Sequence, residues 1–212
     1  MKKRLAILGC GGHGAVVADI ATVIGGWEEI VFFDDRFEKT RQVFGFPVLE
    51  ALNGVFANET DGYEFFVALG DATLRLQWIS KLQISGKHLV TLIHPSTSVS
   101  KRSSIGKATL LKPYSVVDAG VSIGQGCIIN SGSTISHGCT IGDGVHICPG
   151  VNIAGDVSVG NQTWVGIGAS TIQGVKIGEK TIIGAGAIIV DDIPDNVTVV
   201  GNPARIIKRH GK

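Results

Sequence analysis

The sequence carries almost no net charge and no long apolar segment. Its 212 residues include 19 lysines and arginines against 18 aspartates and glutamates, so the formal net charge is +1. No basic block stands out, so the electrostatic signature of a protein that binds nucleic acid or an anionic membrane is missing. The first apolar run, Leu5 to Leu8, is too short for a signal peptide or a membrane-spanning helix. We therefore expect a soluble cytoplasmic protein with no membrane insertion.

The sequence has few cysteines, and their spacing does not suggest pairs. The four cysteines form no Cys-x-x-Cys motif; they are Cys10, Cys127, Cys139 and Cys148. Without that motif neither a zinc site nor a disulfide framework is indicated. We interpret all four as reduced, buried small side chains, and we predict no metal site.

A repeat of six residues runs from Val99 to Ile189. In steps of six from Val99, fifteen of sixteen positions are Ile, Leu or Val, and the exception is Thr171. The residue two places before each is small or β-branched, as at Cys127 and Cys139. A helix of period 3.6 or an isolated strand of period 2 does not give this pattern. A hexapeptide repeat is typical of a β-helix solenoid, in which short strands stack on their neighbours.

Glycine, with 30 residues, supplies a second period. One set of glycines recurs every eighteen residues, at Gly106, Gly124, Gly142, Gly160 and Gly178. Eighteen residues are three hexads, so one coil has three sides and the same corner always holds glycine. We expect these glycines to adopt positive φ in tight turns. The pattern predicts about five coils that form a triangular prism with the repeat aliphatics inside.

The first 93 residues have a different pattern. "RLAILGCGGHG" is a short apolar strand that runs into Gly9-x-Gly11-x-x-Gly14, and a helix is predicted from Ala15 to about Ile24. "EIVFFDD" predicts a second strand, "YEFFVALGD" a third strand ending at Gly70, and Leu74 to Leu82 a second helix. Alternating strands and helices indicate a small parallel α/β sheet.

The glycine-rich turn suggests a phosphate site in this sheet. Glycines between a strand and a helix let a phosphate approach backbone N–H groups and the helix N-terminus. An acid at the end of the second strand can accept a hydrogen bond from a ribose hydroxyl. A dinucleotide needs two such halves, and the solenoid begins before a second could be completed. We therefore predict a single nucleotide that can carry a sugar; the alternative is that the glycines serve only a tight turn.

The whole pattern resembles the PglD/NeuD-like family of hexapeptide-repeat sugar acyltransferases. The resemblance lies in "GCGGHG", "FFDD", "ALGD", "IHPS", "NSGSTISHGCTIGDGVHICPG" and "VGNPAR". It implies a Rossmann-like nucleotide-sugar domain at residues 1–93, a left-handed parallel β-helix acyltransferase domain at 94–190 and a C-terminal capping tail at 191–212. It also implies acetyl-CoA as co-substrate and a homotrimer with active sites between subunits.

By this resemblance His137 is the general base. An amine must lose a proton as it attacks a thioester, and imidazole titrates near neutral pH. His137 lies two residues after a predicted core position, Ile135, so we expect its side chain to face outward. Members of the family commonly carry an acid at the next residue, where this chain has Gly138. Asp118 and Asp143 are candidates to orient the ring instead, and the spacing does not choose between them.

The resemblance also assigns the binding residues. His146, Ile167 and Ala185 match positions that contact acetyl-CoA, and the period of eighteen places Pro149, Ile167 and Ala185 in one column. The nucleotide-sugar positions fall at Gly11, Gly12 and His13 around the phosphates, Asp34 and Asp35 near base and ribose, and Gly70.

The predicted function is N-acetylation of the amine of a UDP- or dTDP-linked 4-amino-4,6-dideoxy sugar, for bacterial surface glycans. One alternative is O-acetylation of a sialic-acid-like sugar, because the same base can serve a hydroxyl or an amine. A second alternative is a non-catalytic β-helix scaffold, against which His137 in its motif argues.

Overall fold

A computed structural model describes residues 3–57 and 60–211. The chain divides into two compact units, and the division falls between His94 and Pro95. Within the described residues, no helix has the length and apolarity needed to cross a membrane.

The first unit is built on a parallel sheet. Its elements in chain order are β1 (Lys3–Leu8), α1 (Gly12–Ile24), β2 (Trp27–Phe33), β3 (Gln42–Val43), β4 (Phe46–Glu50), a 3-10 helix (Leu52–Phe56), β5 (Tyr63–Val67), α2 (Ala72–Ile84), β6 (His88–Leu89) and β7 (Leu92–Ile93). The strands of the main sheet lie in the order β3-β4-β2-β1-β5-β6, in which only the β3–β4 pair is antiparallel. β1 therefore lies in the middle, with β2 on one side and β5 on the other.

Burial on both faces explains the continuous apolar run in the central strand, β1. Leu5, Ala6, Ile7 and Leu8 are all fully buried, as expected for a parallel strand that is covered on both faces. The helix predicted from Ala15 begins earlier, at Gly12, so the three residues before Ala15 form its first turn. The low helix propensity of glycine hid this start in the sequence. The third strand is also shorter than predicted, because it ends at Val67.

The second unit is a triangular parallel β-helix with three faces. Face 1 contains Ser98–Val99, Val116–Val117, Thr134–Ile135, Asn152–Ile153, Ser170–Thr171 and Ile188–Ile189. Face 2 contains Ser104–Ile105, Ser122–Ile123, Thr140–Ile141, Ser158–Val159 and Lys176–Ile177. Face 3 runs through Leu110–Leu111, Ile128–Ile129, His146–Ile147, Trp164–Val165 and Ile182–Ile183 to Val197–Val200 and Arg205–Arg209. Within the repeat, each strand pairs in parallel with the strand eighteen residues further on.

The predicted core of the prism is confirmed. The repeat aliphatics from Leu111 to Ile189 are buried apart from the half-buried Thr171, and Val99 and Ile105 of the first coil are partly buried. The small residues beside them also connect successive coils. The Cys127 thiol donates to the carbonyl of Gly142 over 3.0 Å. The repeat therefore combines apolar packing with buried bonds between coils.

The prediction of positive φ at the glycines that recur every eighteen residues is wrong. Positive φ occurs instead at every sixth residue from Ala108 to Gly186, and glycine holds nine of these positions. The glycines that recur every eighteen residues are needed for close packing between coils, as Gly160 illustrates. A Cβ there would lie 2.5 Å from the backbone nitrogen of Glu179 and 2.7 Å from the carbonyl carbon of Gly178. These glycines let the backbone of the next coil approach closely.

The two kinds of glycine should respond differently to substitution. Gly160→Ala must push two coils apart, so we expect a loss of about 2–3 kcal/mol. Gly174 has φ +73°, and a Cβ there meets open space in the described structure. Gly174→Ala should therefore cost only the local conformational penalty of about 1–2 kcal/mol. Gly174→Asn should cost less than Gly174→Ala, because Asn tolerates positive φ. Urea unfolding at one fixed protein concentration measures all three, and equal losses at Gly160 and Gly174 would contradict this explanation.

Candidate active site

Three loops of the first unit meet at the carboxyl edge of its sheet. The glycine-rich loop follows β1, Asp34 follows β2, and Gly70 lies just after β5. Because these three strands are parallel neighbours, their carboxyl ends share one edge. β1 connects to β2 on one side and has β5 on the other, so the chain changes direction beside this loop. A crevice at such a point is where open α/β sheets bind ligands.

The glycines of this loop have separate roles. Gly9 has φ +101°, and a Cβ there would lie 2.9 Å from the Ala68 carbonyl oxygen. Gly14 lies against the Gly9 carbonyl, so a side chain would clash there as well. At Gly12 an added Cβ would meet open space in the described structure, and at Gly11 it would come within 3.7 Å of Arg36. Gly9 and Gly14 therefore shape the turn, and Gly11 and Gly12 leave room at the N-terminus of α1. His13, in the first turn of α1, is half-buried.

Asp34 is a buried carboxylate with every acceptor site in use. One oxygen accepts from the backbone nitrogen and Nε of Arg36, and the other accepts from the backbone nitrogen of Cys10 and Nη2 of Arg36, all within 3.0 Å. The Arg36 hydrogen bonds hold the pKa of Asp34 well below its usual range, although burial opposes the shift. A carboxylate has about four acceptor sites. Asp34 therefore connects the end of β2 to the glycine-rich loop.

Its neighbours are more open. Asp35 is exposed, and one of its oxygens accepts from the backbone nitrogen of Leu52 over 3.0 Å. Arg36 has a side chain that is 59% exposed and reaches the Gly11 turn. Sequence reasoning missed Arg36, although its position directly after two acids in "FFDDR" could have indicated it.

Gly70 precedes the second helix of this edge. Its carbonyl accepts from Nη1 of the buried Arg75 over 2.9 Å. The next residue, Asp71, caps α2 by accepting from the backbone nitrogen of Leu74 over 2.8 Å. A Cβ added at Gly70 would meet open space in the described structure. The N-termini of α1 and α2 thus lie at the same edge, where helix dipoles favour an anion.

His137 lies on the turn between face 1 and face 2, with 70% of its side chain exposed. The imidazole lies against the backbone of Gly155 in the next coil. A Cβ at Gly155 would come 2.6 Å from Cε1 and 2.7 Å from Nε2 of the ring. His137 Nδ1 lies 3.9 Å from Oδ1 of Asp156. The next coil therefore supplies both a flat surface under the ring and a carboxylate beside it.

The acid beside His137 in the structure is neither Asp118 nor Asp143, the two candidates from the sequence. Asp143 is wrong, because its carboxylate accepts from the backbone nitrogen of Gln125 over 2.9 Å at the corner between face 2 and face 3. Asp118 lies one coil earlier and bonds Ile135 through its backbone nitrogen. Within the described residues, the carboxylate paired with a His137 ring nitrogen is that of Asp156. A step of eighteen from Gly138 reaches Asp156, so the repeat itself contained this signal.

His146 begins a strand of face 3 and is half-buried. Its Nε2 lies 3.3 Å from Nδ2 of Asn130. Its ring meets the Trp164 ring edge-on, with centroids 6.3 Å apart at 88°. The sequence reasoning did not single out Asn130 or Trp164, although Trp164 lies eighteen residues after His146 and pairs with it in register.

Pro149, Ile167 and Ala185 form one column at the corner between face 3 and face 1. The Pro149 carbonyl accepts from Gly168 over 3.0 Å, and the Ile167 carbonyl accepts from Gly186 over 2.8 Å. Ile167 is 58% exposed, which provides an apolar surface along the edge. His137 lies on a different edge of the prism. In the described residues, no cluster of three or more His, Cys, Asp or Glu side chains could hold a metal ion.

Family models match both parts of the chain. Residues 4–82 match the PglD N-terminal domain. Residues 102–137 and 120–155 match the bacterial transferase hexapeptide model of six repeats.

Solved structures match nearly the whole chain. The acetyltransferase domain of PglB from Neisseria gonorrhoeae, in complex with acetyl coenzyme A, is 38% identical with a TM-score of 0.93, covering 98% of this chain and 100% of that one. PerB from Caulobacter crescentus, in complex with CoA and GDP-perosamine, is 36% identical with a TM-score of 0.88, covering 96% and 97%.

A curated relative matches over a shorter length. UDP-N-acetylbacillosamine N-acetyltransferase of Bacillus subtilis is 35% identical over 112 residues, which cover 50% of this chain and 50% of the relative. The matched segment therefore spans about half the length of that protein.

These matches confirm the predicted fold class, a Rossmann-like α/β unit followed by a left-handed β-helix. With 38% identity across a full-length structural match, the chain belongs to the PglD/NeuD-like family of hexapeptide-repeat sugar acyltransferases.

Proposed function

We propose that the chain is an acetyl-CoA-dependent N-acetyltransferase that acetylates the amine of a nucleotide-linked 4-amino sugar for bacterial glycans. The observation that carries the proposal is the exposed His137 imidazole, which lies on Gly155 beside Asp156. This site lies in a fold that matches an acetyltransferase domain with bound acetyl coenzyme A. One relative is named for UDP-N-acetylbacillosamine, and the PerB structure contains GDP-perosamine. Both support a nucleotide sugar as the acceptor.

In the proposed reaction the neutral amine of the sugar attacks the thioester carbonyl of acetyl-CoA. The new C–N bond forms, the C–S bond breaks, and CoA leaves as a thiolate. His137 takes the proton that the amine nitrogen loses and passes it to the thiolate, so charge and protons balance. A positioned base of this kind typically contributes about 10²–10⁴-fold to the rate.

The first unit would hold the nucleotide. The N-termini of α1 and α2 and the open Gly11–Gly12 turn suit a diphosphate. Arg36 is an exposed side chain that reaches that turn, and Asp35 is the exposed carboxylate that precedes it in the sequence. Asp34 is better suited to positioning, because its acceptor sites are already used. We expect a UDP- or dTDP-linked sugar, and the GDP-linked ligand of PerB adds guanine to the bases to be tested.

The second unit supports a homotrimer. His137 lies at the corner between faces 1 and 2, whereas Pro149, Ile167 and Ala185 lie at the corner between faces 3 and 1. If this column holds acetyl-CoA, one protomer does not place its thioester arm and its base on the same edge. Two copies side by side can combine one edge from each, and three copies close the arrangement by cyclic symmetry.

We also place the enzyme in the cytoplasm. Its four cysteines are buried and form no disulfide within the described residues, which is the state expected in a reducing compartment. Burial raises the pKa of the Cys148 thiol to about 11, so this thiol stays protonated and unreactive at neutral pH.

The direct test is release of CoA thiol with a panel of UDP-, dTDP- and GDP-linked amino sugars. We expect His137→Ala to lower kcat by about 10²–10⁴-fold, because general-base catalysis is lost. Acetyl-CoA binding, measured by calorimetry, should remain, and His146→Ala should mainly raise KM for acetyl-CoA. His88→Ala is the matched control, since His88 is an exposed histidine of the first unit paired with Glu64. Near-normal turnover by a folded His137→Ala protein would remove this base from the mechanism.

The two neighbouring aspartates should separate stability from acceptor binding. Asp34→Asn should lower the free energy of unfolding by about 1–3 kcal/mol at pH 7, because it weakens buried charge-assisted bonds. The folded-state pKa of Asp34 is lowered, so its contribution is present above about pH 4 and is lost as the pH falls further. The stability difference between wild type and Asp34→Asn should therefore shrink in acid.

Asp35→Asn is the matched variant on an exposed carboxylate. It should raise KM for the nucleotide sugar and leave KM for acetyl-CoA and the unfolding free energy nearly unchanged. Urea unfolding across the pH range and initial-rate kinetics measure both effects. A pH-independent stability difference for Asp34→Asn would contradict its ionised bonding role, and an unchanged acceptor KM in Asp35→Asn would move the acceptor site elsewhere.

Mixed oligomers test the shared site. Ala185→Trp should block the acetyl-CoA column, and His137→Ala should remove the base, so each variant alone is inactive. Co-expressed with two affinity tags and purified through both, a mixed trimer contains one intact site of three. We expect about a third of wild-type activity. No recovery in confirmed mixed trimers, or an active monomer by light scattering, would contradict a site built from two subunits.

A further inference from the structure

We propose that Asp156 is the residue that positions the His137 imidazole, replacing the acid that the resemblance leads us to expect at Gly138. The inference rests on the proposed role of His137 as base. It concerns a residue that directly contacts neither the sugar nor acetyl-CoA in this proposal, so Asp156 is a positioning residue.

Gly138 and Asp156 are stacked, eighteen residues apart, and compete for the same space. Gly138 has φ +69°, and a Cβ added to it would overlap Oδ1 of Asp156. A side chain at 138 therefore requires the Asp156 carboxylate to leave its observed position. The space that an acid at 138 would need is already filled by an acid from the next coil.

The backbone fixes Asp156 beside the histidine. Its backbone nitrogen donates to the His137 carbonyl over 2.9 Å, so the two residues are held in register by the coil ladder. Asp156 itself has φ +60°, at one of the repeat positions that glycine usually holds. Aspartate tolerates this conformation better than most residues. Gly155 leaves the surface on which the ring lies, as the 2.6 Å approach to Cε1 shows.

The separation of 3.9 Å between Nδ1 and Oδ1 is longer than a hydrogen bond. Carboxylate and imidazole end torsions are soft, and catalytic hydrogen bonds often tighten only with substrate bound. Asp118, one coil earlier, is the other carboxylate near this corner. Burial raises the pKa of the Cys139 thiol, and the charges of Asp156 and Asp118 add to the rise.

The carboxylate would act on the ring in two ways. By accepting the Nδ1 hydrogen it selects the tautomer whose Nε2 lone pair can take the proton of the amine. It then stabilises the imidazolium that forms when Nε2 receives that proton. Asp156 is 68% exposed, and an exposed pair adds little to folding stability. Its removal should therefore appear in catalysis and leave the fold intact.

Three variants test the proposal. Asp156→Gly removes the carboxylate and suits the positive φ, whereas Asp156→Asn keeps the shape without the charge. We expect Asp156→Gly to lower kcat on the order of tenfold or more, and Asp156→Asn by less, because a charge-assisted bond is replaced by none or by a neutral one. KM for acetyl-CoA should change by less than about twofold. Lys180→Gly is the matched control, since Lys180 has φ 50° at an equivalent turn on another edge.

The rescue experiment separates positioning from a structural role. With Asp156 replaced by glycine, the space beside Gly138 is free, so Gly138→Asp in that background returns an acid to the histidine from the other side. We expect the double variant to recover most of the lost kcat, whereas Gly138→Asp alone should lose activity. A kcat of Asp156→Gly within about twofold of wild type, or no recovery in the double variant, would overturn the proposal.

A readout without turnover keeps this inference distinct from the proposed function. In protein labelled with heavy nitrogen in histidine, NMR should show His137 mainly as the Nδ1–H tautomer, with a shift toward Nε2–H in Asp156→Gly. An unchanged tautomer would overturn the role of Asp156 even if His137→Ala is inactive. An active His137→Ala would instead refute the proposed base, and the inference would fail with it.

Discussion

The pairing of each coil with the coil eighteen residues further on is the constraint on which the second unit depends. Backbone bonds such as those from Asp156 to the His137 carbonyl and from Gly186 to the Ile167 carbonyl hold the coils in register. Close coil spacing requires glycine at positions such as Gly160, where the next backbone leaves no room for a Cβ. The same register places Gly155 under the His137 ring. The coil register that builds the β-helix thus also positions the His137 imidazole on its surface.

The sequence predicted what depends on regular repetition. The six-residue period gave the core correctly, from Leu111 through Ile189. It gave the wrong reason for the eighteen-residue glycines, because a contact between coils does not show in a pattern that is read along one coil. The acid beside His137 was missed for the same reason, since Asp156 is distant along the chain and adjacent across the ladder. Arg36 was missed because its bonds to Asp34 depend on side-chain geometry.

Two carboxylates show how environment separates roles. Asp34 is 8% exposed, has all its acceptor sites filled and has a lowered pKa, so it holds the glycine-rich loop in shape. Asp156 is exposed and lies beside a single imidazole, so its oxygens have acceptor capacity left. Asp34 thus fixes the glycine-rich turn, whereas Asp156 is the carboxylate that we propose orients the His137 ring.

The central claim is transfer of an acetyl group to a sugar amine. The most direct measurement uses acetyl-CoA with a heavy carbon isotope in the acetyl carbonyl, incubated with the wild-type protein and UDP-, dTDP- and GDP-linked 4-amino sugars. Carbon NMR of the purified nucleotide sugar should show the label in an amide bonded to the sugar nitrogen. Label found in an ester on a hydroxyl, or remaining entirely in acetyl-CoA and free acetate across that whole panel, would contradict the claim.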